Sequence, residues 1–318
     1  MDGKSSFELV KYPVITNVAN GGARVVGVKG PSFAEALKVP LAEGDVLLWW
    51  LGQAGFLLRS ADGALLIDPY LTSNGSRRFP PPFRPEDATL VDAVLVTHEH
   101  RDHLDLDVVQ AFAEADSAAR WVVPAPIAGQ LADLGIPPRR IVPAQPGHRL
   151  ELGRINVQPV AAHHGVTMAD AYNAGEVISG GLVRFLGYVM ELAGTRIYHS
   201  GDGLAYPGLA EELARLSVDV VLLPINGRDA EREALDIVGN MSSDEAVTLA
   251  GRSGAEVLVP MHWDLLADNL GDPSTAVALV ERDYSSLTVL LPSRDRPFGL
   301  HQVGRRWWPG PGSRPEGD

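Results

Sequence analysis

Hydrophobic and polar positions alternate along most of the chain as short strand-like runs separated by helical patterns. Continuous apolar runs, as in 91–97 and 218–224, are typical of strands that are buried on both faces. Apolar residues at helical spacing, as in 104–115, indicate amphipathic helices. Because the alternation repeats in two similar halves, it favours an α/β layered sandwich with two sheets inside and helices outside. A single doubly wound sheet has the same periodicity and stays open at this point.

The boundaries of the individual elements follow from this pattern. We predict strands over 46–52, 55–60, 64–71, 91–97, 121–124, 141–144, 182–192, 195–200, 218–224, 255–263 and 288–292, with a hairpin over 148–160. We predict helices over 104–115, 126–134, 208–216, 243–252 and 274–283. The helix at 243 is supported by Ser242 and Glu245, because Ser followed three residues later by Glu is a capping-box signature.

Polar segments divide these elements and set the expected domain organisation. Segments 72–88, 165–181 and 225–240 are predicted to be loops that cover a pocket, the first because it contains three consecutive prolines. Residues 46–303 are expected to form one domain, with residues 1–45 as an N-terminal extension packing on it. The Pro/Gly-rich residues 304–318 are expected to be a mobile tail.

Composition narrows the class of partner and the cellular compartment. With 27 Lys and Arg against 40 Asp and Glu, the net charge of −13 disfavours nucleic acid, which usually requires a basic face. The chain has no cysteine, so any transition metal must be held by His and carboxylate side chains. It shows neither a signal-peptide pattern nor an apolar run long enough to span a bilayer. We therefore expect a soluble cytoplasmic protein that acts on a small molecule and not on a membrane.

One cluster of metal-competent side chains follows the strand predicted at 91–97. His98, His100, Asp102 and His103 lie within six residues, where the strand ends and the next helix begins. His98 and His100 alternate along an extended segment, so both rings can point the same way. A solvated polar loop is the alternative interpretation, but this spacing is a demanding coincidence. Four potential ligands in one loop indicate a site for two metal ions.

One cluster cannot complete two metal shells, so further ligands must come from elsewhere in the chain. Metal-competent side chains follow three other predicted strands: the pair His163–His164, Asp202 and His262. A layered α/β fold gathers its site at strand ends. Any one of these residues alone is more often structural, but their recurrence beside the first cluster indicates a shared site.

In order and spacing these residues resemble the metallo-β-lactamase superfamily, and within it the L-ascorbate-6-phosphate lactonase-like branch. The supporting segments are WWLGQAGFLLRS, IDPYL, VTHEHRDHLD, IYHSGD, NMSSDEA and VPMHWD, which lie between about residues 46 and 265. The resemblance implies a four-layer αββα sandwich of two mixed β-sheets flanked by helices. Residues 46–303 would then be a metallo-hydrolase domain, and the same branch suggests a homo-oligomer.

The resemblance also implies a ligand set. One metal ion would be held by His98, His100 and a histidine of Ala162-His163-His164-Gly165, with His164 matching the family pattern better than His163. The other metal ion would be held by Asp102, His103 and His262, with Asp202 bridging the two. Nitrogen and oxygen ligands accept Zn²⁺ or Mn²⁺, and iron as well.

These ligands imply a metal-dependent hydrolase in which two metal ions hold a bridging hydroxide that opens a small-molecule ester, most often a lactone in this branch. Asp102 or Asp202 would take up or relay the proton. The alternative is a phosphodiesterase acting on a small nucleotide or a phospholipid-type phosphodiester. A non-enzymatic binding module predicts ligand losses, yet every expected position is filled. Redox di-iron members usually carry Glu at the position of His100 and a flavin-binding partner domain, for which the chain has no room.

Several residues near these motifs are weaker candidates for supporting the metal ligands or contacting substrate. Asp68 is expected to orient a ligand histidine, with a plain turn residue as the alternative. For His199 a structural hydrogen bond is the favoured interpretation, and Gln53 either lines the pocket or ends a strand. His163 is kept as the other histidine of its pair. Arg228, like Arg77, Arg78 and Arg84, is a candidate for binding an anionic substrate group.

Overall fold

The computed structural model describes residues 6–10, 31–165, 177–178, 181–235 and 237–303. In chain order the strands are β1 Ser6–Val10, β2 Asp45–Gly52, β3 Gly55–Ser60, β4 Gly63–Ile67, β5 Ala93–Leu95, β6 Arg120–Pro124, β7 Ile141–Ala144, β8 Leu150–Leu152, β9 Ile155–Ala161, β10 Val177–Ile178, β11 Leu182–Val183, β12 Leu186–Leu192, β13 Thr195–His199, β14 Val220–Pro224, β15 Val257–Met261, β16 Thr288–Val289 and β17 Phe298–Val303. The α-helices are α1 Phe33–Ala36, α2 Leu106–Glu114, α3 Ala128–Asp133, α4 Leu209–Arg215, α5 Ala230–Glu233, α6 Ser243–Ser253 and α7 Pro273–Asp283. Short 3₁₀ helices occur at Pro85–Leu90, Ala125–Ile127 and Pro138–Arg140.

Two large mixed sheets organise the described residues, in place of the single doubly wound sheet that periodicity also allowed. One has the strand order β1-β17-β2-β3-β4-β5-β6-β7, and the other has the order β16-β15-β14-β13-β12-β9-β8. The first sheet is antiparallel from β1 to β4 and parallel from β4 to β7. The second is antiparallel from β8 to β13 and parallel from β13 to β16. The two sheets are of similar construction, but they do not divide the chain exactly into halves, because β17 from the C-terminal part joins the first sheet and the hairpin β8–β9 joins the second.

Three hydrophobic cores hold four layers together. The central core joins the inner faces of both sheets, with Trp50 and Phe56 from the first and Tyr188 and Leu222 from the second. A second core packs α1, α2 and α3 on the outer face of the first sheet. A third core packs α4, α6 and α7 on the outer face of the second sheet. The order of layers is helix, sheet, sheet, helix, as expected for an αββα sandwich.

The predicted helices and strands overlap elements of the structure, but strand 182–192 divides into β11 and β12 of different sheets, and helix 126–134 begins with a 3₁₀ turn at Ala125. The strands β1 and β17 and the helix α1 were not predicted. The predicted loops differ from the structure in part. Segment 72–88 is not loop to its end, because Pro85 starts a 3₁₀ helix, a position where its missing N–H costs no hydrogen bond. Segment 225–240 contains the one-turn helix α5, which is capped by the Asp229 side chain. Of segment 165–181, residues 166–176 and 179–180 lie outside the described part of the chain, and Val177–Ile178 forms a strand paired with β11.

The two ends of the chain are only partly described. Within the proposed N-terminal extension, β1 pairs with β17 at the edge of the first sheet, and Phe33 of α1 is buried against that sheet's outer face. Residues 11–30 and the proposed C-terminal tail, 304–318, lie outside the described residues. Among the helices that are described, none combines the length and the apolar character needed to cross a membrane.

Candidate metal centre

The candidate site residues lie just beyond the carboxyl ends of neighbouring strands of both sheets. Asp68 follows β4 and His98 follows β5 in the first sheet. His164, Asp202 and His262 follow β9, β13 and β15 in the second sheet. Because the sheets face each other across the central core, their strand ends converge at one edge of the sandwich. Residues far apart in sequence therefore share one site.

Three histidines form the first group of potential ligands, called here the three-His group: His98, His100 and His164. His98 Nε2 lies 2.9 Å from His100 Nδ1, and His164 Nε2 lies 3.2 Å from the same atom. One atom from each of the three residues lies within 4.8 Å of the others. The Phe185 ring packs edge-on against His164, with 5.3 Å between ring centroids, and limits where these imidazoles can move.

Asp102, His103, Asp202 and His262 form the second group, called here the Asp–His group. Asp202 Oδ1 lies 3.0 Å from His262 Nε2 and 3.2 Å from His103 Nε2. Asp102 Oδ2 lies 3.4 Å from His262 Nε2 and 3.8 Å from His103 Nε2. Two carboxylates therefore face two imidazoles across a common centre. The loop that carries both His98 and Asp102 joins this group to the first.

The spacing of these atoms fits metal ions. A four-coordinate zinc ion binds nitrogen at about 2.0–2.1 Å, which sets its ligand atoms roughly 3.3 Å apart. His98 Nε2 and His164 Nε2 both approach His100 Nδ1, at 2.9 and 3.2 Å, so ring nitrogens of three histidines converge at this point. His103 Nε2 and Asp202 Oδ1 are buried, and neither makes a well-aligned hydrogen bond to any described residue. Buried polar atoms that converge in this way are expected where a cation completes the site.

Without metal, the histidines of the two groups differ in their protonation at neutral pH. Burial lowers the pKa of His164 to about 3, and burial with the neighbouring imidazoles holds the pKa of His98 well below its usual value. Burial would also lower the pKa of His262, but the facing carboxylates outweigh it and raise that pKa to about 9. His103 behaves in the same way: burial would lower its pKa, but Asp202 and Asp68 outweigh this effect and raise that pKa well above its usual value. The three-His group is therefore neutral, and the Asp–His group is a set of buried ion pairs.

The carboxylates of the Asp–His group are the counterpart of these charged imidazoles. Burial by itself would raise the pKa of Asp102, but His103 and His262 outweigh it and hold that pKa far below its ordinary range. The same balance, with His262 and His103 opposing burial, holds the pKa of Asp202 well below its usual value. Both carboxylates are ionised at neutral pH and present acceptor oxygens to the centre.

Asp68 and Thr97 support the ligand loop from behind. Asp68 Oδ2 accepts hydrogen bonds from His103 Nδ1 and from the Thr97 hydroxyl, both at 2.7 Å, while Asp68 Oδ1 accepts from the Thr97 amide at 2.8 Å. This orients Nε2 of His103 toward the Asp–His group. Gly201 packs against the same threonine: a Cβ there would lie 2.7 Å from Thr97 Oγ1, and φ is +57°. Glycine is therefore needed beside Asp202.

Gln53 lies in the turn between β2 and β3 and is fully buried. Its Nε2 lies 2.9 Å from Asp102 Oδ2 and 3.0 Å from His262 Nε2, and its backbone carbonyl accepts from the His262 amide at 2.9 Å. Gln53, Asp68 and His262 have φ angles of 53°, 45° and 59°, a region that non-glycine residues rarely adopt. Such strain is concentrated at functional sites, which places Gln53 among the candidate site residues.

Two of the weaker candidates, His163 and His199, lie outside both ligand groups and are held by other contacts. The His163 ring stacks on Tyr206 with 4.3 Å between centroids, so of the histidine pair only His164 joins the three-His group. His199 donates from Nε2 to the Ala54 carbonyl at 2.7 Å and accepts at Nδ1 from the Gly201 amide at 3.0 Å. Both nitrogens of His199 are thus used in hydrogen bonds to the backbone.

Arg228 is held by groups of the protein itself. Its guanidinium makes two hydrogen bonds to the Glu245 carboxylate, at 2.6 and 2.5 Å, and a third to the Asn240 carbonyl at 3.0 Å. These contacts fix the loop that precedes α6. Of the other candidate arginines, Arg77 donates to the Tyr70 carbonyl at 2.9 Å and Arg84 pairs with Asp87. The Arg78 amide donates to the Leu265 carbonyl at 2.9 Å, which ties the Pro-rich loop to the segment after His262.

Thr97, Phe185 and Asn240 contact ligand histidines, and none of them was assigned a role from the sequence, although Thr97 and Asn240 stand in the segments VTHEHRDHLD and NMSSDEA. Asn240 lies 3.5 Å from His262 Nδ1 through its Nδ2 atom. Thr97 directly precedes His98, so its place next to a predicted ligand can be recognised from the sequence. Asn240 is more than twenty positions from His262 and belongs to a segment predicted as loop, so no spacing pattern connects the two.

Comparison with known proteins assigns the family. The family description "Beta-lactamase superfamily domain" matches residues 64–263, which is more than half of the chain and extends from β4 to the residue after His262. The chain belongs to the beta-lactamase superfamily. Both ligand groups lie within the matched residues 64–263.

Relatives and solved structures agree with this assignment. The chain is 25% identical over 303 residues to the probable L-ascorbate-6-phosphate lactonase UlaG of Salmonella heidelberg (strain SL476), covering 85% of this chain and 82% of that protein. The metallo hydrolase Igni18 from Ignicoccus hospitalis KIN4/I matches with a TM-score of 0.61 at 20% identity, over 80% of this chain and 98% of that one. An isothiocyanate hydrolase from Delia radicum gut bacteria matches with a TM-score of 0.62 at 20% identity, over 79% and 98%. These structural matches show that the superfamily fold is shared.

Proposed function

We propose that this member of the beta-lactamase superfamily is a metal-dependent hydrolase that holds two divalent metal ions, one in each ligand group. The observation that carries the proposal is the convergence of the three-His group and the Asp–His group at one edge of the sandwich. His98, His100 and His164 would bind one ion, and Asp102, His103 and His262 the other. Asp202 lies 8% exposed beside both groups and would bridge them. The nitrogen and oxygen donors suit Zn²⁺ or Mn²⁺, and iron is also compatible.

Two such ions supply a nucleophile at neutral pH, because metal coordination lowers the pKa of water to about 7. The protein's own residues hold and orient that centre. Gln53 donates from Nε2 to Asp102 Oδ2 and fixes the carboxylate that faces the Asp–His group. Asp202 Oδ1 and Asp102 Oδ2 are ionised acceptors, and because their pKa values are held so low they would relay a proton released during hydrolysis and not retain it. Phe185 and the buried imidazoles exclude bulk water from one side.

We propose a small lactone as the substrate. The similarity to the L-ascorbate-6-phosphate lactonases covers 85% of this chain, including both ligand groups. The net charge of −13 fits a small molecule better than a polyanionic polymer. Phosphodiesters are the alternative substrate class, because a dinuclear metal centre can hydrolyse either kind of bond.

The substrate class is tested with purified protein and a panel of lactones, phosphodiesters, thioesters and β-lactams. We expect lactone hydrolysis that chelator treatment abolishes and added Zn²⁺ or Mn²⁺ restores. Turnover of phosphodiesters with none of any lactone would overturn the lactone proposal and keep the metal hydrolase. Failure of the protein to bind Zn²⁺ or Mn²⁺ would overturn both, and would favour a binding module.

Neighbouring histidines supply a matched pair of variants. His164→Gln removes a member of the three-His group, whereas His163→Gln removes a ring that stacks on Tyr206. We expect the first variant to lose one equivalent of bound metal and most lactonase activity. The second should keep both metal equivalents and activity within a few-fold of the parent, as expected for a group outside the ligand shells. The reverse pattern would contradict the proposed ligand set.

A further inference from the structure

His262 lies between two buried carboxamide side chains. Gln53 Nε2 lies 3.0 Å from His262 Nε2, and Asn240 Nδ2 lies 3.5 Å from His262 Nδ1. The amide oxygens of both residues, Gln53 Oε1 and Asn240 Oδ1, are buried and find no hydrogen-bond partner in the described part of the chain. Both amides thus turn an NH₂ group toward the imidazole and leave their oxygens unused.

This arrangement cannot satisfy His262. A neutral imidazole has one N–H donor and one acceptor nitrogen, and a protonated one has two donors and no acceptor. Two NH₂ groups therefore cannot both donate to the same ring. Oxygen and nitrogen of an amide occupy nearly the same volume, so a carboxamide can be turned over without repacking its surroundings. At least one of the two flanking amides must present its oxygen instead.

The proposed metal centre decides which amide this is. If His262 binds metal through Nε2, which faces Asp102 and Asp202, then its proton resides on Nδ1. That N–H needs an acceptor, and Asn240 is the side-chain partner at Nδ1. Turning Asn240 over brings Oδ1 to this position. Among the described residues, one end of the Asn240 amide has no hydrogen-bond partner in either orientation, so the bond to His262 sets the orientation.

The orientation of the Asn240 amide determines the orientations of two further buried asparagines that lie in a row with it, Asn226 and Asn269. Asn240 Nδ2 lies 3.2 Å from Asn226 Oδ1, and Asn226 Nδ2 lies 2.7 Å from Asn269 Oδ1. Asn226 and Asn269 are only 4% and 7% exposed, and Asn240 is fully buried. Once Asn240 presents oxygen, Asn226 must present Nδ2 to it, and Asn269 must then present Nδ2 to Asn226. The three amides can therefore adopt two consistent orientations, and only one of them accepts from His262.

The backbone around the row is firmly held. The Asn240 amide donates to the Gly227 carbonyl at 3.0 Å, and Gly227 donates back to the Met241 carbonyl at 3.0 Å. Arg228 donates to the Asn240 carbonyl at 3.0 Å, and Arg232 donates to the Asn226 carbonyl. These bonds fix the asparagine side chains in place and leave amide rotation as their main freedom.

We infer that Asn240, Asn226 and Asn269 are positioning residues that hold His262 in the tautomer required for metal binding, by offering Asn240 Oδ1 to His262 Nδ1–H. The inference rests on the proposed metal centre. It assigns a role to Asn226 and Asn240, in the loop before α6, and to Asn269, which follows His262, and none of the three belongs to the ligand groups. It also explains a buried, uncharged polar row beside a centre of charged groups, where an apolar packing would be cheaper to bury.

Two carboxylate substitutions separate this inference from a plain charge effect. In Asn240→Asp both side-chain oxygens are acceptors, so one faces His262 Nδ1–H and Asn226 supplies Nδ2. In Asn226→Asp the new acceptor instead holds Asn240 with Nδ2 forward, which denies His262 its acceptor. The two variants add the same charge at neighbouring positions, but only Asn226→Asp is expected to weaken metal binding. Asn240→Leu removes the acceptor with no added charge.

The test is Zn²⁺ affinity of the full chain, measured by competition with a chromophoric chelator in the absence of substrate. We expect Asn240→Asp to bind both zinc equivalents within about threefold of the parent, while Asn226→Asp and Asn240→Leu weaken one equivalent by about 10–100-fold. Thermal unfolding of the chelator-treated variants controls for folding. If Asn226→Asp fails to fold, the contrast between Asn240→Asp and Asn240→Leu still decides the matter.

Three outcomes would overturn the inference. Equal or tighter zinc binding by Asn226→Asp than by Asn240→Asp would mean that charge alone acts. Parental affinity in folded Asn240→Leu would mean that His262 needs no acceptor from this row. A parent protein that binds no zinc would overturn the proposed metal centre itself, a result distinct from the first two. A ring N–H proton of His262, seen by NMR in the zinc-loaded parent and lost in Asn240→Leu, would support the inference independently of affinity.

Discussion

The three-His group and the Asp–His group lie side by side, yet the protein prepares them for metal in different ways. In the three-His group, burial lowers the pKa of each histidine, to about 3 for His164, so each ring is neutral and has one unprotonated nitrogen at neutral pH. In the Asp–His group, carboxylates raise the pKa of His262 to about 9, so without metal the protonated imidazoles form ion pairs with the carboxylates. The first group can accept a cation directly. The Asp–His group must release protons before it can bind a cation.

This contrast has a structural origin. The three-His group packs against an aromatic ring and a neutral hydroxyl: Phe185 lies 5.3 and 5.7 Å from two of its rings between centroids, and Thr97 Oγ1 lies 3.0 Å from His98 Nδ1. The Asp–His group is bordered by hydrogen-bonding groups: Asp68 behind His103, Gln53 behind Asp102 and Asn240 behind His262. A buried charge requires such partners, whereas a neutral imidazole does not. The difference therefore extends from the ligands to the residues that support them.

The largest effect is expected from removing the carboxylate that faces both imidazoles of the Asp–His group. Asp202→Asn leaves His103 and His262, 3.2 and 3.0 Å from Asp202 Oδ1, without their common anionic partner. Because loss of a residue that merely supports a ligand costs 10–100-fold, we expect lactonase activity to fall by more than about a hundredfold here. Steady-state kinetics with saturating Zn²⁺ measures it. Activity within tenfold of the parent would mean that Asp202 is not part of the centre.

The pH dependence of metal binding tests the contrast itself. His164→Gln leaves the Asp–His group intact, and His262→Gln leaves the three-His group intact. Below pH 9 His262 carries a proton that zinc must displace, so its affinity should rise about tenfold per pH unit for each proton released. From pH 6 to 8 we expect a gain of at least about a hundredfold in His164→Gln, from release of the His262 proton alone and more where His103 also releases one, but little change in His262→Gln, because His98, His100 and His164 are already neutral. Zinc titrations at both pH values measure it. Equal pH slopes would remove the distinction between the groups.

Asp68 sharpens the comparison, because it supports only the Asp–His group directly. Asp68→Asn replaces the acceptor of the 2.7 Å bond from His103 Nδ1 and lets that ring turn. We expect zinc affinity of the Asp–His group to fall by about 10–100-fold while the three-His group is nearly unaffected. Chelator competition resolves the two equivalents. An equal loss in both groups would indicate a general disturbance of the fold.

Arg228 gives the smallest expected effect and defines the edge of the site. Its side chain is 30% exposed and is paired with Glu245, so Arg228→Gln should lower the free energy of unfolding by about 1 kcal/mol. Because the guanidinium is engaged by Glu245 and the Asn240 carbonyl, we expect KM for a lactone to change by less than about twofold. Chemical denaturation and kinetics check the two expectations. A large increase in KM would return Arg228 to the substrate-binding candidates.

Much of the fold and the ligand groups follows from sequence because both depend on local patterns. Buried strands such as β14 are continuous apolar runs, and the ligands directly follow such strands, so strand ends locate His98, Asp202 and His262. The capping box at Ser242 and Glu245 predicts the start of α6, and both reciprocal hydrogen bonds are present. These features are set by neighbours within a few residues.

Features that depend on contacts between distant segments do not follow from sequence. Asn240 and His262 meet only because β14 and β15 are parallel neighbours whose following loops fold together. Equally, nothing within the pair His163–His164 shows that one ring stacks on Tyr206 and the other joins His100. The strained backbone of Gln53, with φ at 53°, is imposed by the turn between two paired strands and by the His262 amide. Such contacts require the assembled sandwich.

The central claim is that two adjacent ligand groups each hold one metal ion and together hydrolyse a lactone. It is tested most directly by counting bound metal in the parent, in His164→Gln and in His262→Gln, while following lactone hydrolysis in the same samples. The account predicts two equivalents in the parent, one in each variant, and activity that requires both. Two equivalents retained in either variant, or lactone hydrolysis undiminished in metal-depleted parent protein, would contradict it.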